Sequence, residues 1–425
     1  MDNQFKVLVF PCGSEVALEI YRSLKYARHV DLYGGSSISD HGQYVFDNYI
    51  SDIPFVDEDS FIPALKKIIV KYSFDAIYPA MDTVIAKLKL NEEELGCKVI
   101  SSPVETTEIC LSKSQSYKVL EGVIDTPQLF DEDSIDINTF PIFAKPDVGY
   151  GSRGAKRIDD ENQLKEMLRK NKTQMVLCEY LPGDEYTVDC FTNCKGELIF
   201  ASGRKRNRIS NGISVNTFEV NDPYFKNIAE KINNTLKFQG AWFYQVKKNF
   251  KDQYCLLEVA SRLGGSSALF RLKGINFALL SIFDSFGYKV NAIENSYHIS
   301  MDRALGNVFK VDIQFETIYV DFDDCLIIAD KVNVELLSFL YKSLNENKKI
   351  ILITKHKLNI HETLSQFRLS SLFDEIIHLN ENENKFEFIT DKKAIFIDDS
   401  YIERRDVLNN LKIPVFAPDM IEGLK

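Results

Sequence analysis

Ten residues constrain the fold more than any others: Lys145-Pro146-Asp147-Val148-Gly149-Tyr150-Gly151-Ser152-Arg153-Gly154. A lysine closes the apolar β-run Ile142-Phe143-Ala144, and glycines follow at 149, 151 and 154. The string fits G-x-G-x-x-G, but a dinucleotide loop of that type opens a helix. Here the chain runs on into Ala155-Lys156-Arg157-Ile158, an extended pattern. The segment therefore reads as a strand–loop–strand flap. One fixed cation beside a glycine backbone suits a polyphosphate, because N–H donors can then approach closely. From the motif alone, an ordinary surface hairpin is the alternative.

At 425 residues the chain is too long for one core and predicts about two to four domains. Its net charge of −11 argues against a nucleic-acid partner. No apolar run is long enough to span a bilayer. Met1 to Lys6 leads straight into a strand, so no signal peptide is expected. The eight cysteines form no C-x-x-C pair, and Cys178, Cys190 and Cys255 sit in apolar runs. Reduced core thiols in a cytoplasmic protein are expected. His356 and His361 are five apart, poor spacing for zinc on one helix face. A homo-oligomer is compatible with this composition.

Three patterns follow one another. Residues 1–105 alternate strand and helix, which predicts a small parallel α/β domain. Residues 106–300 are β-rich, with hairpins over 142–158, 175–202 and 213–220, helices over 112–121, 224–237 and 273–286, and strands either side of Phe250-Lys251-Asp252-Gln253. Residues 287–314 read as a connection. Residues 315–425 return to a compact α/β alternation. The fold class is thus α/β and α+β, multidomain.

With these elements in order, residues 1 to about 300 resemble the ATP-grasp superfamily of carboxylate–amine ligases and carbamoyl-phosphate synthases, including its leading α/β domain. The resemblance implies ATP and Mg²⁺, with Mn²⁺ as an alternative ion. Lys113, in Leu111-Ser112-Lys113-Ser114, and Lys145 match the two ATP-contacting lysines, with Gly151 and Ser152 in the flap. Met175 to Glu185 resembles the hinge strand, where backbone groups of Glu179, Tyr180 and Leu181 would meet adenine and Glu185 both ribose hydroxyls. Gln245 and Glu258, on paired strands, match the metal ligands. Leu257 to Gly265 resembles Glu-x-Asn-x-Arg-x-x-Gly, but the asparagine position is Ala260, which leaves the number of ions open. Arg262 matches the arginine facing an acyl phosphate. Arg204, Lys205, Arg206 and Arg208 read as a basic loop, either solvated or binding an anionic substrate together with Gly264.

Residues 317–425 resemble the haloacid dehalogenase-like hydrolases, a Rossmann-like fold, here without a large cap. Val320-Asp321-Phe322-Asp323-Asp324-Cys325 resembles Asp-x-Asp-x-Thr, with Asp324 in place of the usual glycine and Cys325 in place of the threonine. The resemblance makes Asp321 the nucleophile and Asp323 the general acid/base. Thr354 matches the second motif and Lys385 the third, with Lys392 and Lys393 as rivals. Phe396-Ile397-Asp398-Asp399-Ser400 matches the last. Asp321, Asp323 and Asp398 are the expected Mg²⁺ ligands.

The implied activity is bifunctional: a ligase joining a small carboxylate to an amine or similar nucleophile, and a phosphatase acting on a phosphorylated metabolite. A small-molecule kinase, or a nucleotide-binding scaffold with an inactive hydrolase domain, are the alternatives.

Overall fold

Three strand systems follow one another along the chain. The computed structural model describes residues 4–149, 151, 153–170, 173–304 and 307–424. The first system is a parallel sheet of β1 (Phe5–Phe10), β2 (Val30–Gly35), β3 (Asn48–Ile50), β4 (Ala76–Pro79) and β5 (Lys98–Val99), ordered β3-β2-β1-β4-β5. Val7 to Phe10 and Ala76 to Pro79 are buried throughout, as apolar runs covered by helices on both faces must be. The helix Glu15–Leu24 begins at Ser14, whose hydroxyl accepts from the Ala17 N–H.

The second system has two antiparallel sheets. β6 (Ile142–Pro146), β7 (Lys156–Ile158) and β8 (Met175–Glu179) form the flap sheet, ordered β7-β6-β8. Ile142, Ala144, Ile158, Leu164 and Leu177 give it a small core of its own. β9 (Glu185–Thr192), β10 (Leu198–Ser210), β11 (Ile213–Val220), β12 (Gly240–Lys248), β13 (Tyr254–Ala260), β14 (Ile299–Arg303) and β15 (Asn307–Val311) form the larger sheet, ordered β13-β12-β9-β10-β11-β14-β15. Trp242 anchors its core, stacked on Phe238 at 4.1 Å and donating to Thr192 Oγ1 at 2.9 Å.

The third system is again parallel. It contains β16 (Thr317–Val320), a small hairpin β17 (Ile327–Ile328) and β18 (Lys331–Val332), then β19 (Lys349–Thr354), β20 (Glu375–His378), β21 (Ala394–Ile397) and β22 (Val415–Phe416). The sheet order is β20-β19-β16-β21-β22. The chain leaves β16 to one side through β19 and returns to the other through β21. That reversal opens a crevice at the carboxyl end of β16, where α/β sheets hold ligands.

Several expectations change. The helix expected over 112–121 is Lys113–Leu120, and an unexpected helix, Val104–Leu111, precedes it; Ser112, extended, separates the two and caps the second. The helix expected from 273 starts at Phe277, since Gly274 has φ +108° and Asn276 supplies the cap. Arg204 to Arg208 lie in β10 rather than in a loop. Residues 287–314 do not form a free connection. Val290, Tyr297, Ile299 and Met301 are buried in the main core, and β14 and β15 complete the large sheet.

That core runs from Val7 and Ile20 through Leu269 and Ile282 to Val320 and Ile421. At its centre Arg271, 1% exposed, holds Glu19 Oε1 at 2.7 Å, Glu422 Oε1 at 2.5 Å and the Asp419 carbonyl at 2.6 Å. Among the described residues no helix is long and apolar enough to cross a membrane.

Two candidate active sites

The first site is a cleft between the flap sheet and the large sheet. Lys145 ends β6 and is 6% exposed. Its ammonium donates to Tyr117 Oη at 2.5 Å and to the Leu257 carbonyl at 3.2 Å. Among the described residues no carboxylate forms an ion pair with it. Burial lowers its pKa, with Cys178 and Glu258 acting in the opposite sense. A buried cation without a counter-ion is an open demand for an anion. Lys113 Nζ lies 3.3 Å from the Asp147 carbonyl and 3.2 Å from that of Gly149. The buried Asp147 carboxylate accepts from Ser112 Oγ and Ser114 N, both at 2.8 Å. It fixes the start of the lysine-bearing helix against the glycine loop.

Both lysines line this cleft with Gly149, Gly151, Glu179, Leu181, Glu185, Arg206, Gln245 and Glu258. Gly151 has φ +61°, a turn conformation that favours glycine. Ser152 lies outside the described residues. Tyr180 is not among the lining residues; Arg157 lies 4.7 Å and Lys247 5.9 Å from its ring centre.

Register places Gln245 directly opposite Glu258. Glu258 has no described hydrogen-bond partner. Gln245 Oε1 instead accepts from Arg206 at 3.0 Å, and the same guanidinium nitrogen pairs with Glu185. Glu185 therefore meets an arginine, and Arg206 belongs to this cleft rather than to a separate substrate surface.

The other basic residues are also engaged. Arg204 is 3% exposed and bonds Asp189 at 2.7 Å. A Cβ on Gly264 would sit 2.8 Å from Asp189 Oδ1 and 3.1 Å from Arg204 Nη2, so a glycine is needed for that approach. Lys205 pairs with Asp184 and Arg208 with Asp302. Arg262 makes a two-pronged contact with Asp82, at 2.8 and 2.9 Å. It joins the large sheet to the leading α/β layer. Asp82, Asp189 and Tyr117 escaped the sequence reading. Tyr117 could have been found: it stands four residues after Lys113, on the same helix face.

The second site lies at the carboxyl ends of β16, β19 and β21. Asp321 follows β16 and Asp398 follows β21, both buried. Lys385 Nζ sits between them, 2.6 Å from Asp321 Oδ1 and 2.6 Å from Asp398 Oδ2. Lys393 instead pairs with Glu316 at the surface. Burial raises the Asp321 pKa well above the usual carboxylate range; Asp398 adds to this and Lys385 opposes it. The Asp399 carboxyl is pushed up to about 7 by burial, then by Asp398 and Asp324. Oxygens of Asp321, Asp398 and Asp399 lie within 4.8 Å of one another, a donor set that suits a hard divalent cation. Thr354 Oγ1 is buried and without a hydrogen-bond partner, which marks a place for a ligand oxygen.

Asp323 does not join that acidic group. Its carboxylate faces His356 Nδ1 at 2.9 Å, and His356 Nε2 lies 3.1 Å from Thr363 Oγ1. Asp399 is the third acid in its place. His356 stands two residues after Thr354, close enough in sequence to have been suspected.

Comparison with known proteins bears on the fold of the first part of the chain. A family model described as ATP-grasp in the biosynthetic pathway with Ter operon matches residues 171–303. D-alanine–D-alanine ligase A of Bacillus cereus is 32% identical over 108 residues, 22% of this chain and 36% of that one. The large chain of carbamoyl phosphate synthase from Thermoplasma acidophilum is 24% identical over 315 residues, 62% of this chain and 29% of that one. The chain thus spans about a third of the length of these curated relatives. Among solved structures, N5-carboxyaminoimidazole synthetase of Staphylococcus aureus, complexed with ADP, has a TM-score of 0.59 at 17% identity and covers 71% of this chain and 83% of its own. The biotin carboxylase domain of Hydrogenobacter thermophilus 2-oxoglutarate carboxylase, crystallised with MgADP and bicarbonate, has a TM-score of 0.61 at 15% identity, covering 71% and 75%. At these identities the structural likeness is one of fold.

Proposed function

On the ATP-grasp fold that this chain carries, we propose a bifunctional enzyme. Residues 1–105 and 106–300 would form an ATP- and Mg²⁺-dependent ligase that joins a small carboxylate to an amine or similar nucleophile. Residues 315–425 would form an aspartate-nucleophile phosphatase of the haloacid dehalogenase-like kind. The observation that carries the first half is Lys145: a buried ammonium without a carboxylate partner among the described residues, beside a glycine loop. The similarity to a D-alanine–D-alanine ligase supports joining a carboxylate to an amine.

In the ligase, Lys113 and Lys145 hold the ATP phosphates while the flap covers them. Glu185 exchanges Arg206 for the ribose hydroxyls as nucleotide enters. A carboxylate oxygen of the substrate attacks the γ-phosphorus, the bond to the β–γ bridging oxygen breaks, and ADP leaves. The amine then attacks the acyl carbon, inorganic phosphate departs, and the amine proton passes to solvent. Glu258 and Gln245 offer the oxygen ligands that Mg²⁺ or Mn²⁺ would take, and the bound ion supplies charge neutralisation. Ala260 contributes no ligand.

In the phosphatase, Asp321 attacks phosphorus and the ester P–O bond breaks. Asp323, held by His356, gives its proton to the leaving oxygen. Water then attacks the aspartyl phosphate, Asp323 takes its proton, and phosphate leaves. Lys385 and Thr354 face the phosphoryl oxygens. Asp321, Asp398 and Asp399 would hold the divalent ion.

ADP release with ATP, Mg²⁺ and a panel of carboxylates and amines tests the first half. Dependence on both acceptor types supports the ligase. Dependence on one alone supports a kinase, and no dependence supports a nucleotide-binding scaffold.

A further inference from the structure

The acidic site has no inserted domain above it. Between Leu326 and Thr354 stand only the β17–β18 hairpin, the helix Val334–Asn345 and β19 itself. Between Thr354 and Asp398 stand the helix Ile360–Gln366, β20, a short turn and β21. The leading α/β layer faces this site instead. Arg28, just after the helix Glu15–Leu24, places Nη1 2.7 Å from Asp324 Oδ2. Lys25 makes a second contact across the same boundary, 3.4 Å from Glu335. Asp324 is the residue that departs from the glycine of the resembled motif, and it is the one Arg28 holds.

A cavity lies along this boundary, with Tyr26, Arg28, His29, Asp399, Tyr401 and Arg404 in its wall. Asp399 belongs both to that wall and to the three-acid group, so the cavity adjoins the reacting centre. Two guanidiniums are available there. Arg404 Nη1 caps the carbonyls of Asp398 and Asp399 at 2.7 Å each, leaving Nε and Nη2 without a described partner. Arg28 is 61% exposed and bonded to one carboxylate. Asp419, also in the wall, already serves Arg271 and Asn276.

Resting on the phosphatase reading above, we propose that this cavity receives the leaving group of the phosphoester. Arg28, supplied by the leading layer, is a specificity residue that recognises an anionic group on it, a carboxylate or a second phosphate. A guanidinium binds either through paired N–H donors. An exposed arginine–carboxylate pair is weakly held, so a ligand anion displaces Asp324 at little cost. A neutral leaving group offers Arg28 no such exchange. Phosphatase specificity would then depend on a residue nearly 300 positions before the nucleophile, at 28 against 321.

The test uses the full chain with Mg²⁺ and four probes: p-nitrophenyl phosphate and glycerol 3-phosphate with neutral leaving groups, 2-phosphoglycolate with a carboxylate, and fructose 1,6-bisphosphate with a second phosphate. The preference for one anionic probe, as a ratio of kcat/KM values over the neutral ones, should fall about tenfold or more in Arg28→Ala, mainly through KM. Arg28→Lys should recover part of it. The responding probe tells carboxylate from phosphate. An equal loss on all probes, no loss, or a parent that favours neutral leaving groups overturns the inference. A thermal shift with Mg²⁺ and beryllofluoride, in the parent and in Asp321→Asn, separates the two failures. An Asp321-dependent rise without hydrolysis of any probe overturns the leaving-group inference alone. No rise and no hydrolysis overturns the phosphatase reading as well.

Discussion

Gln245 and Glu258 face each other across β12 and β13, in a cleft that Lys113 and Lys145 also line. Oxygen ligands and cations thus share one cleft, the combination that a nucleotide with its metal requires. Glu258→Gln keeps the shape and removes the charge. With Ala260 unable to share the ion, Mg²⁺-dependent ATP turnover should fall about tenfold or more, and the Mg²⁺ concentration for half-maximal rate should rise. Initial rates across a Mg²⁺ titration check this. An unchanged titration places the metal elsewhere.

Lys385 should prove essential to the second site and irrelevant to the first. It sits between Asp321 and Asp398 at 2.6 Å from each. Lys385→Met leaves two buried carboxylates without their cation. Phosphate release from any phosphoester the parent accepts should disappear, while ATP consumption at the cleft stays near the parent rate. Parallel phosphate and ADP assays on one preparation read both.

The chain should unfold as one body rather than as separable units. Arg271 is 1% exposed and joins Glu19, Asp419 and Glu422, residues from both ends of the chain. Arg271→Met strands those carboxylates, and the loss of stability should be about 3–5 kcal/mol. Calorimetry should show one lowered transition. Two transitions, with only one of them moved, would mean that the shared core does not couple the units.

Gly264 should tolerate no side chain. Gly264→Ala drives a Cβ to within 2.8 Å of Asp189 Oδ1, against a buried ion pair. ATP turnover should drop by about tenfold or more while Mg²⁺ dependence keeps its midpoint, a combination that rates and titration distinguish from a metal defect.

What the sequence made legible was local. The glycine loop after Lys145 and the acids Asp321 and Asp398 at strand ends each lie within a few residues of the pattern that betrays them. Strand register carried Gln245 to Glu258 because one turn separates them. Partnerships between distant segments were not legible. Arg262 meets Asp82 from 180 positions away, and Arg206 meets Glu185 only because β10 folds back on β9. The basic run 204–208 looked like a loop since composition alone hides which carboxylates face it. In β10 its side chains are divided among Asp189, Asp184, Glu185 and Asp302. The same limit explains 287–314: polar residues between apolar ones read as a connection until their neighbours bury Tyr297 and Met301.

Lys145 carries the assignment of the ATP cleft, and one comparison tests it. ADP release is measured in the full chain and in Lys145→Ala, with ATP, Mg²⁺ and the carboxylate and amine that the parent accepts. Charge-assisted contacts to phosphate predict a loss of about a hundredfold in the variant, with weakened ATP binding and an intact fold by circular dichroism. ADP release and ATP affinity equal to those of the parent would contradict the assignment of this cleft as the ATP site.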